Sequence, residues 1–125
     1  MKQQSDVREF HQAFGCCIND SPTMPPMEER ALRISLIQEE TDELDRALAR
    51  NDMIEAADAI ADLLYVTLGA AVALGLDIEP VFAEVHRSNL AKQGGHKRED
   101  GKWMKPEGWQ PPRIAELLEK QGWKK

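Results

Sequence analysis

Residues 54–76, IEAADAIADLLYVTLGAAVALGL, decide the fold of this chain. Over this stretch the only charged side chains are three carboxylates, Glu55, Asp58 and Asp62. Their spacing places them within an arc of about 60° on one face of a helix, since an α-helix has about 3.6 residues per turn. The other faces are apolar, and a helix that is apolar almost all round is expected to be largely buried. Buried carboxylates are costly unless a shifted pKa, a cationic partner or a metal ion compensates them.

A second acidic patch lies upstream, where Glu39, Glu40 and Glu43 form the pattern EExxE. On a helix these three residues span about 100°, with Glu43 between the other two. Mg²⁺ takes oxygen ligands and needs only one or two carboxylates together with substrate oxygens. Alone, such a run is more often a solvent-exposed face than a site. Together with the acids of 54–76 it predicts a site for hard divalent cations between two converging helices.

Length and composition predict one globular domain spanning 1–125, with 42% hydrophobic and 30% charged residues. The net charge of −6 disfavours a nucleic-acid partner, since nucleic-acid-binding domains are normally basic. Cys16 and Cys17 are adjacent and are the only cysteines, which indicates neither a disulfide framework nor a zinc site.

The N-terminus lacks the apolar core of a signal peptide, and the charge-free run 63–76 is shorter than the roughly 20 residues that span a bilayer. We therefore expect a cytoplasmic protein without a membrane partner.

Apolar periodicity and turn residues predict an all-α bundle of four or five helices. Gly15 is expected to end the first helix, Asp52 to cap the third, and Gly75 to end it. The third helix is apolar on too many faces for one small protomer to cover, so a homodimer or a dimer of dimers is expected. The expected helices cover 6–14, 27–50, 54–75, 79–94 and 113–121, and 93–112 is expected to be a loop without strands.

Residues 86–105 have the opposite charge, with six Lys and Arg against Glu99 and Asp100. Within this segment Asn89 is able to donate and accept hydrogen bonds, and Lys92 offers a mobile point charge suited to phosphate. An acidic half facing a basic half suits a metal-bound polyphosphate. The alternative is that these charges only keep the surface soluble. The candidate substrate-binding residues are Asn89, Lys92, Lys102 and Lys105.

Three aromatic residues have two interpretations each. Tyr65 lies three residues after Asp62, so it either flanks the site or belongs to the core. Trp103 and Trp109 either stack on a base or anchor the segment 93–112 to the bundle, and anchoring is the simpler interpretation. We include Tyr65 among the candidate substrate-binding residues.

These patterns resemble those of the all-α nucleoside triphosphate pyrophosphohydrolases, the MazG-like superfamily that also includes phosphoribosyl-ATP pyrophosphohydrolase and the dimeric dUTPases. The likeness rests on EExxE, on the second acidic helix that continues into DLLYV, and on the stretches EFHQAFG, EVHRSNLAK and DGKWMKPEGW. It is nearest to the compact members that prefer dUTP. The resemblance implies cleavage between the α and β phosphates, giving a monophosphate and pyrophosphate, with Mg²⁺ or Mn²⁺ and in dimers or dimers of dimers.

Carried over by position, the resemblance implies that Glu39 and Glu43 are metal ligands. It also implies that Glu40 orients or deprotonates the attacking water.

The second motif departs from the family pattern. That motif is usually E-x-x-D ending in the Asp that precedes LLYV, which here is Asp62. Its Glu would stand at position 59, where this chain has Ala59. Either Asp58 replaces that Glu, or the motif lies one turn upstream as Glu55-x-x-Asp58; the first is favoured because positions 58 and 62 share a face. The expected metal ligands are Glu39, Glu43, Asp58 and Asp62, with Glu55 ranked lower.

Three functional hypotheses follow. The first is a metal-dependent pyrophosphohydrolase acting on a nucleoside triphosphate, most simply a deoxynucleotide such as dUTP, to clean the nucleotide pool. The second is a phosphoribosyl-ATP pyrophosphohydrolase of histidine biosynthesis, which has the same chemistry on another substrate. The third is a non-catalytic helical module whose acids bind a stabilising ion or a basic partner.

Overall fold

The computed structural model describes residues 1–124 and consists of five helices and one short hairpin. The all-α prediction is confirmed. The elements in chain order are α1 (Lys2–Phe14), α2 (Met27–Ala49), α3 (Met53–Leu74), α4 (Ile78–Leu90), β1 (His96–Lys97), β2 (Trp103–Met104) and α5 (Ile114–Lys120).

Helices α2 and α3 form the centre of the fold and make its most extensive helix contact. Because only residues 50–52 join them, they run antiparallel, as the sequence predicted. The Asp52 carboxylate accepts a hydrogen bond from the Glu55 backbone N–H at 3.1 Å, which confirms the predicted cap of α3. Gly75 ends α3 with φ +71°, and a Cβ there would lie 2.1 Å from the carbonyl oxygen of Ser21. Only glycine therefore fits this close approach.

The prediction that the third helix is largely buried is wrong for the single chain. Helices α1 and α2 cover part of α3, and its buried positions are small residues. The uncovered side is apolar, with Ile54 81% exposed and Leu64 61% exposed. The buried residues of α3 are Ala56, Ala59, Gly69, Ala71, Val72 and Ala73.

By length and apolar composition alone α3 is able to cross a membrane, because the helix is longer than the charge-free run considered above. The core helices of soluble proteins pass the same test, so this is weak evidence. In this structure α3 has three carboxylates in its N-terminal half and four buried residues among its last six, 69–74.

The segment after α4 differs from the prediction in two respects. Helix α4 ends at Leu90 instead of near residue 94, because the chain enters turns there. The predicted loop 93–112 contains an antiparallel hairpin, in which His96 pairs with Met104 and Lys97 with Trp103. Two-residue strands carry too little alternation for a sequence pattern to reveal them.

Candidate active site

Three carboxylates converge where the middle of α2 faces the first half of α3. One carboxylate oxygen from each of Glu40, Glu43 and Asp62 lies within 4.8 Å of the other two. Asp58, one turn before Asp62 on α3, interacts with Asp62 directly. We refer to Glu40, Glu43, Asp58 and Asp62 as the carboxylate cluster.

Two members of the carboxylate cluster are shifted toward the protonated form. Burial raises the pKa of Glu40, and a hydrogen bond to Glu43 together with the charges of Glu43, Asp62 and Asp58 raises it further. Burial also raises the pKa of Asp62, followed by the charges of Asp58 and Glu43 and a hydrogen bond to Asp58. Each shift therefore comes from desolvation and from neighbouring acids, and a cation placed among them would reverse both.

The geometry fits a divalent metal ion. The Oε2 atom of Glu40 is buried and has no hydrogen-bond partner in the structure. An unpaired buried carboxylate oxygen is costly, and the other two carboxylates beside it increase that cost. Hard cations such as Mg²⁺ bind to oxygen atoms of this kind. The carboxylate cluster is therefore the part of the chain that would hold such an ion.

The remaining predicted ligands lie at the edge of this arrangement. Glu39 and Glu55 are exposed, and neither contributes to the pKa shift of Glu40 or Asp62. Ala59, at the position where the family pattern has a glutamate, is 2% exposed. Asp58 supplies a carboxylate beside Asp62.

The predicted substrate-binding residues lie on the C-terminal part of the chain. The ammonium groups of Lys92 and Lys105 lie 5.4 and 5.0 Å from the centre of the Trp109 ring. Asn89 is exposed on the last turn of α4. Lys102 is exposed between the hairpin strands, and its backbone N–H donates to Asp100 at 3.2 Å.

The acidic and basic parts of the predicted site are not packed together within one chain. Helix α4 makes its main helix contact with α5, and no comparable contact joins it to α2 or α3 in the described part of the chain. The expectation that one chain places residues 86–105 directly against the acids is therefore not met by helix packing.

Tyr65 lies on the exposed side of α3 next to an apolar cavity. Its ring makes an edge-to-face contact with Phe10, with the centroids 5.8 Å apart. The cavity of about 590 Å³ is also lined by Leu64 and Phe82, so it separates α3 from the start of α4. Tyr65 is 40% exposed and therefore does not belong to the core of the single chain.

Sequence reasoning missed two features around these residues. Arg33 is buried on α2 and pairs with Glu29, with Nε to Oε1 at 2.7 Å; a lone arginine in a helical pattern gives no signal of this. The sequence also did not indicate that Lys92 and Lys105 meet at one tryptophan, since nothing in their spacing brings them together.

Comparison with known proteins identifies the family of the chain. Residues 7–89 match the family model described as phosphoribosyl-ATP pyrophosphohydrolase, a match that includes α2, α3 and the whole carboxylate cluster. No curated protein matches the chain. The chain therefore belongs to the phosphoribosyl-ATP pyrophosphohydrolase family, one of the MazG-like all-α pyrophosphohydrolases, and it is a nucleotide pyrophosphohydrolase.

Proposed function

We propose that the protein hydrolyses a nucleoside triphosphate, in particular a deoxynucleotide such as dUTP, to the monophosphate and pyrophosphate. The observation that carries this proposal is the carboxylate cluster with the unpaired, buried Oε2 of Glu40. The preference for dUTP rests on the resemblance to the compact members that prefer dUTP. Part of that resemblance is the stretch DGKWMKPEGW, which lies after residue 89, where the match to the family model ends. The reaction would remove that triphosphate from the nucleotide pool.

Mg²⁺, or Mn²⁺ in its place, is the proposed cofactor. Glu43 and Asp62 would hold it together with Asp58, because carboxylate oxygens of Glu43 and Asp62 lie within 4.8 Å of each other between α2 and α3 and Asp58 adds its charge beside Asp62. Glu39 and Glu55 are proposed as further ligands that reach the ion from the exposed edge. When bound, Mg²⁺ neutralises charge on the phosphate oxygens and lowers the pKa of nearby water.

Glu40 is proposed to be the general base. Its carboxylate is adjacent to the ligand positions and retains one oxygen that no protein group occupies. In the reaction it takes a proton from water while the water oxygen attacks the α-phosphorus. The bond from the α-phosphorus to the bridging oxygen breaks, and pyrophosphate leaves with the electron pair. Asn89, Lys92, Lys102 and Lys105 are proposed to bind the phosphates or the sugar.

The test is a pyrophosphate-release assay with Mg²⁺ across all common ribonucleoside and deoxynucleoside triphosphates, followed by hydrolysis in ¹⁸O-labelled water. We expect turnover of a deoxynucleotide, with the label in the monophosphate alone. Label in pyrophosphate would mean attack at the β-phosphorus and would contradict the proposed role of Glu40. No turnover of any nucleotide would favour a non-catalytic metal-binding module.

Phosphoribosyl-ATP is the second candidate substrate, and the family match favours it. It differs from a simple triphosphate by the phosphoribosyl group on the base, while the bond cleaved is the same. Including it in the assay separates the two candidates, since the better substrate has the larger kcat/KM.

We also propose that the protein is a homodimer or homotetramer in the cytoplasm, without a nucleic-acid or membrane partner. The support is the exposed apolar side of α3, which includes Ile54, Ile60 and Leu64. Exposed apolar surface of this kind is typical of an interface. A second copy would also provide a route for residues 86–105 to approach a carboxylate cluster, since α4 has no main helix contact with α2 or α3 in the described part of the chain.

Sedimentation equilibrium at micromolar concentration is expected to show a mass of at least twice 14.1 kDa. The double variant Ile54→Lys/Leu64→Lys should shift the protein toward the monomer, because charges would then occupy the apolar surface. The matched control is Glu28→Lys on α2, an exposed change outside that surface. A stable monomer of the parent protein would contradict the proposed assembly.

A further inference from the structure

Trp109 is fixed to the end of α4 and contacts two cations. Its indole N–H donates a hydrogen bond to the carbonyl oxygen of Ser88 at 2.6 Å, and Ser88 is only 2% exposed. The ammonium groups of Lys92 and Lys105 lie 5.4 and 5.0 Å from the ring centroid. One anchored ring therefore determines where two lysines from different segments place their charges.

The two ammonium groups have no compensating carboxylate. Within residues 1–124, neither Lys92 nor Lys105 forms an ion pair. Each contact with the ring contributes only about 0.5–1 kcal/mol at an exposed site, and the two like charges repel each other. An anion with several charged oxygens would supply the negative charge that both groups lack.

We propose that Trp109 is a positioning residue that holds Lys92 and Lys105 as a cation pair for an oligophosphate, namely the pyrophosphate portion of the substrate and the pyrophosphate product. This inference rests on the proposed function, because it assigns the pair to the phosphates of that reaction. It adds a role for Trp109 beyond anchoring of the segment and gives a reason why Lys92 and Lys105 act together.

Trp103 is the matched comparison within the same segment. Its indole N–H also donates to a backbone carbonyl of this region, that of Lys92, at 2.7 Å. No cation contact involves its ring in the described structure, where only Trp109 is paired with lysines. Trp103 therefore anchors the hairpin to the Lys92 backbone without contacting an ammonium group, and its replacement measures the loss of this anchor without the loss of a ring contact.

The experiment measures binding of inorganic pyrophosphate by isothermal titration calorimetry, at fixed millimolar Mg²⁺ and without nucleotide. Trp109→Leu is expected to weaken binding by about tenfold, because both ring contacts are lost. Trp109→Phe keeps an aromatic face but loses the hydrogen bond to Ser88, so it should recover part of that loss. Trp103→Leu keeps both ring contacts and should lose clearly less affinity than Trp109→Leu. In steady-state kinetics Trp109→Leu should raise KM for the nucleotide with little change in kcat.

Lys92→Met/Lys105→Met keeps Trp109 in place and tests the pair even if Trp109→Leu does not fold. This double variant should lose pyrophosphate affinity by more than tenfold, since charged hydrogen bonds are lost. Four results would each overturn the inference. They are an equal loss of affinity in Trp109→Leu and Trp103→Leu, no recovery of affinity in Trp109→Phe, unchanged affinity in the double lysine variant, and no binding of pyrophosphate by the parent. Pyrophosphate binding with the expected pattern but without nucleotide turnover would instead contradict the proposed function alone.

Discussion

Glu40→Gln is expected to lower kcat by about 10²–10⁴-fold, the usual contribution of a positioned general base. The amide has nearly the same size as the carboxylate but does not accept a proton from water. Because Glu43, Asp58 and Asp62 remain, binding of Mg²⁺ and of the nucleotide should persist. Pyrophosphate release measures kcat, and calorimetry with the nucleotide and Mg²⁺ measures binding.

Stability distinguishes this catalytic effect from misfolding. Burial and the neighbouring acids raise the pKa of Glu40, so its ionised form is disfavoured in the metal-free protein. A neutral glutamine removes that cost, and the metal-free variant should melt no lower than the parent at neutral pH. Asp45→Asn, an exposed change one turn from the end of α2, is the control and should leave turnover unchanged. Loss of Mg²⁺ binding in Glu40→Gln would show that Glu40 is primarily a ligand.

The helices were predictable because their signals are local. Gly15 and Gly75 adopt the left-handed conformation that ends a helix, and Asp52 forms the expected cap. Such signals depend on a few neighbouring residues, so the sequence contains them directly. The hairpin 96–104 was missed for the opposite reason, since its strands pair two residues each across an intervening turn.

Burial of α3 was not predictable from its composition. An apolar helix indicates that something covers it, but not whether the cover belongs to the same chain. Ala56 and Ala59 are buried, whereas the larger Ile54 and Leu64 are exposed in the single chain. The sequence pattern is the same for a core and for an interface between copies.

The candidate site was predicted in part. Periodicity placed Asp58 and Asp62 on one face, and the structure brings Asp62 together with Glu40 and Glu43. Periodicity did not show which of Glu39 and Glu40 turns inward, because that depends on the crossing of α2 and α3. It also did not show that Lys92 and Lys105 share one ring, because they belong to separate segments whose spacing in the sequence does not bring them together.

Asp62→Asn is expected to abolish most of the stabilisation that Mg²⁺ gives to the parent protein. An ion that binds only the folded state stabilises it by about 2.7 kcal/mol when the ion concentration is about 100 times its Kd. Asp62 contributes one of the three converging oxygens. Its loss should therefore lower the affinity for Mg²⁺ by at least about tenfold, and kcat should fall as well. Thermal melting with and without millimolar Mg²⁺ measures the effect, and Asp45→Asn should respond like the parent.

The same stabilisation should depend on pH in a defined direction. The pKa values of Glu40 and Asp62 are raised in the folded protein. Their contribution to the stability of the metal-free protein is therefore fully present below the ordinary carboxyl pKa and is lost as the pH rises through the raised values. Because Mg²⁺ replaces those protons, its effect on the melting temperature should grow over that range. An equal response of the melting temperature to Mg²⁺ in Asp62→Asn and in the parent would place the metal elsewhere. No response in the parent would contradict the proposed metal site.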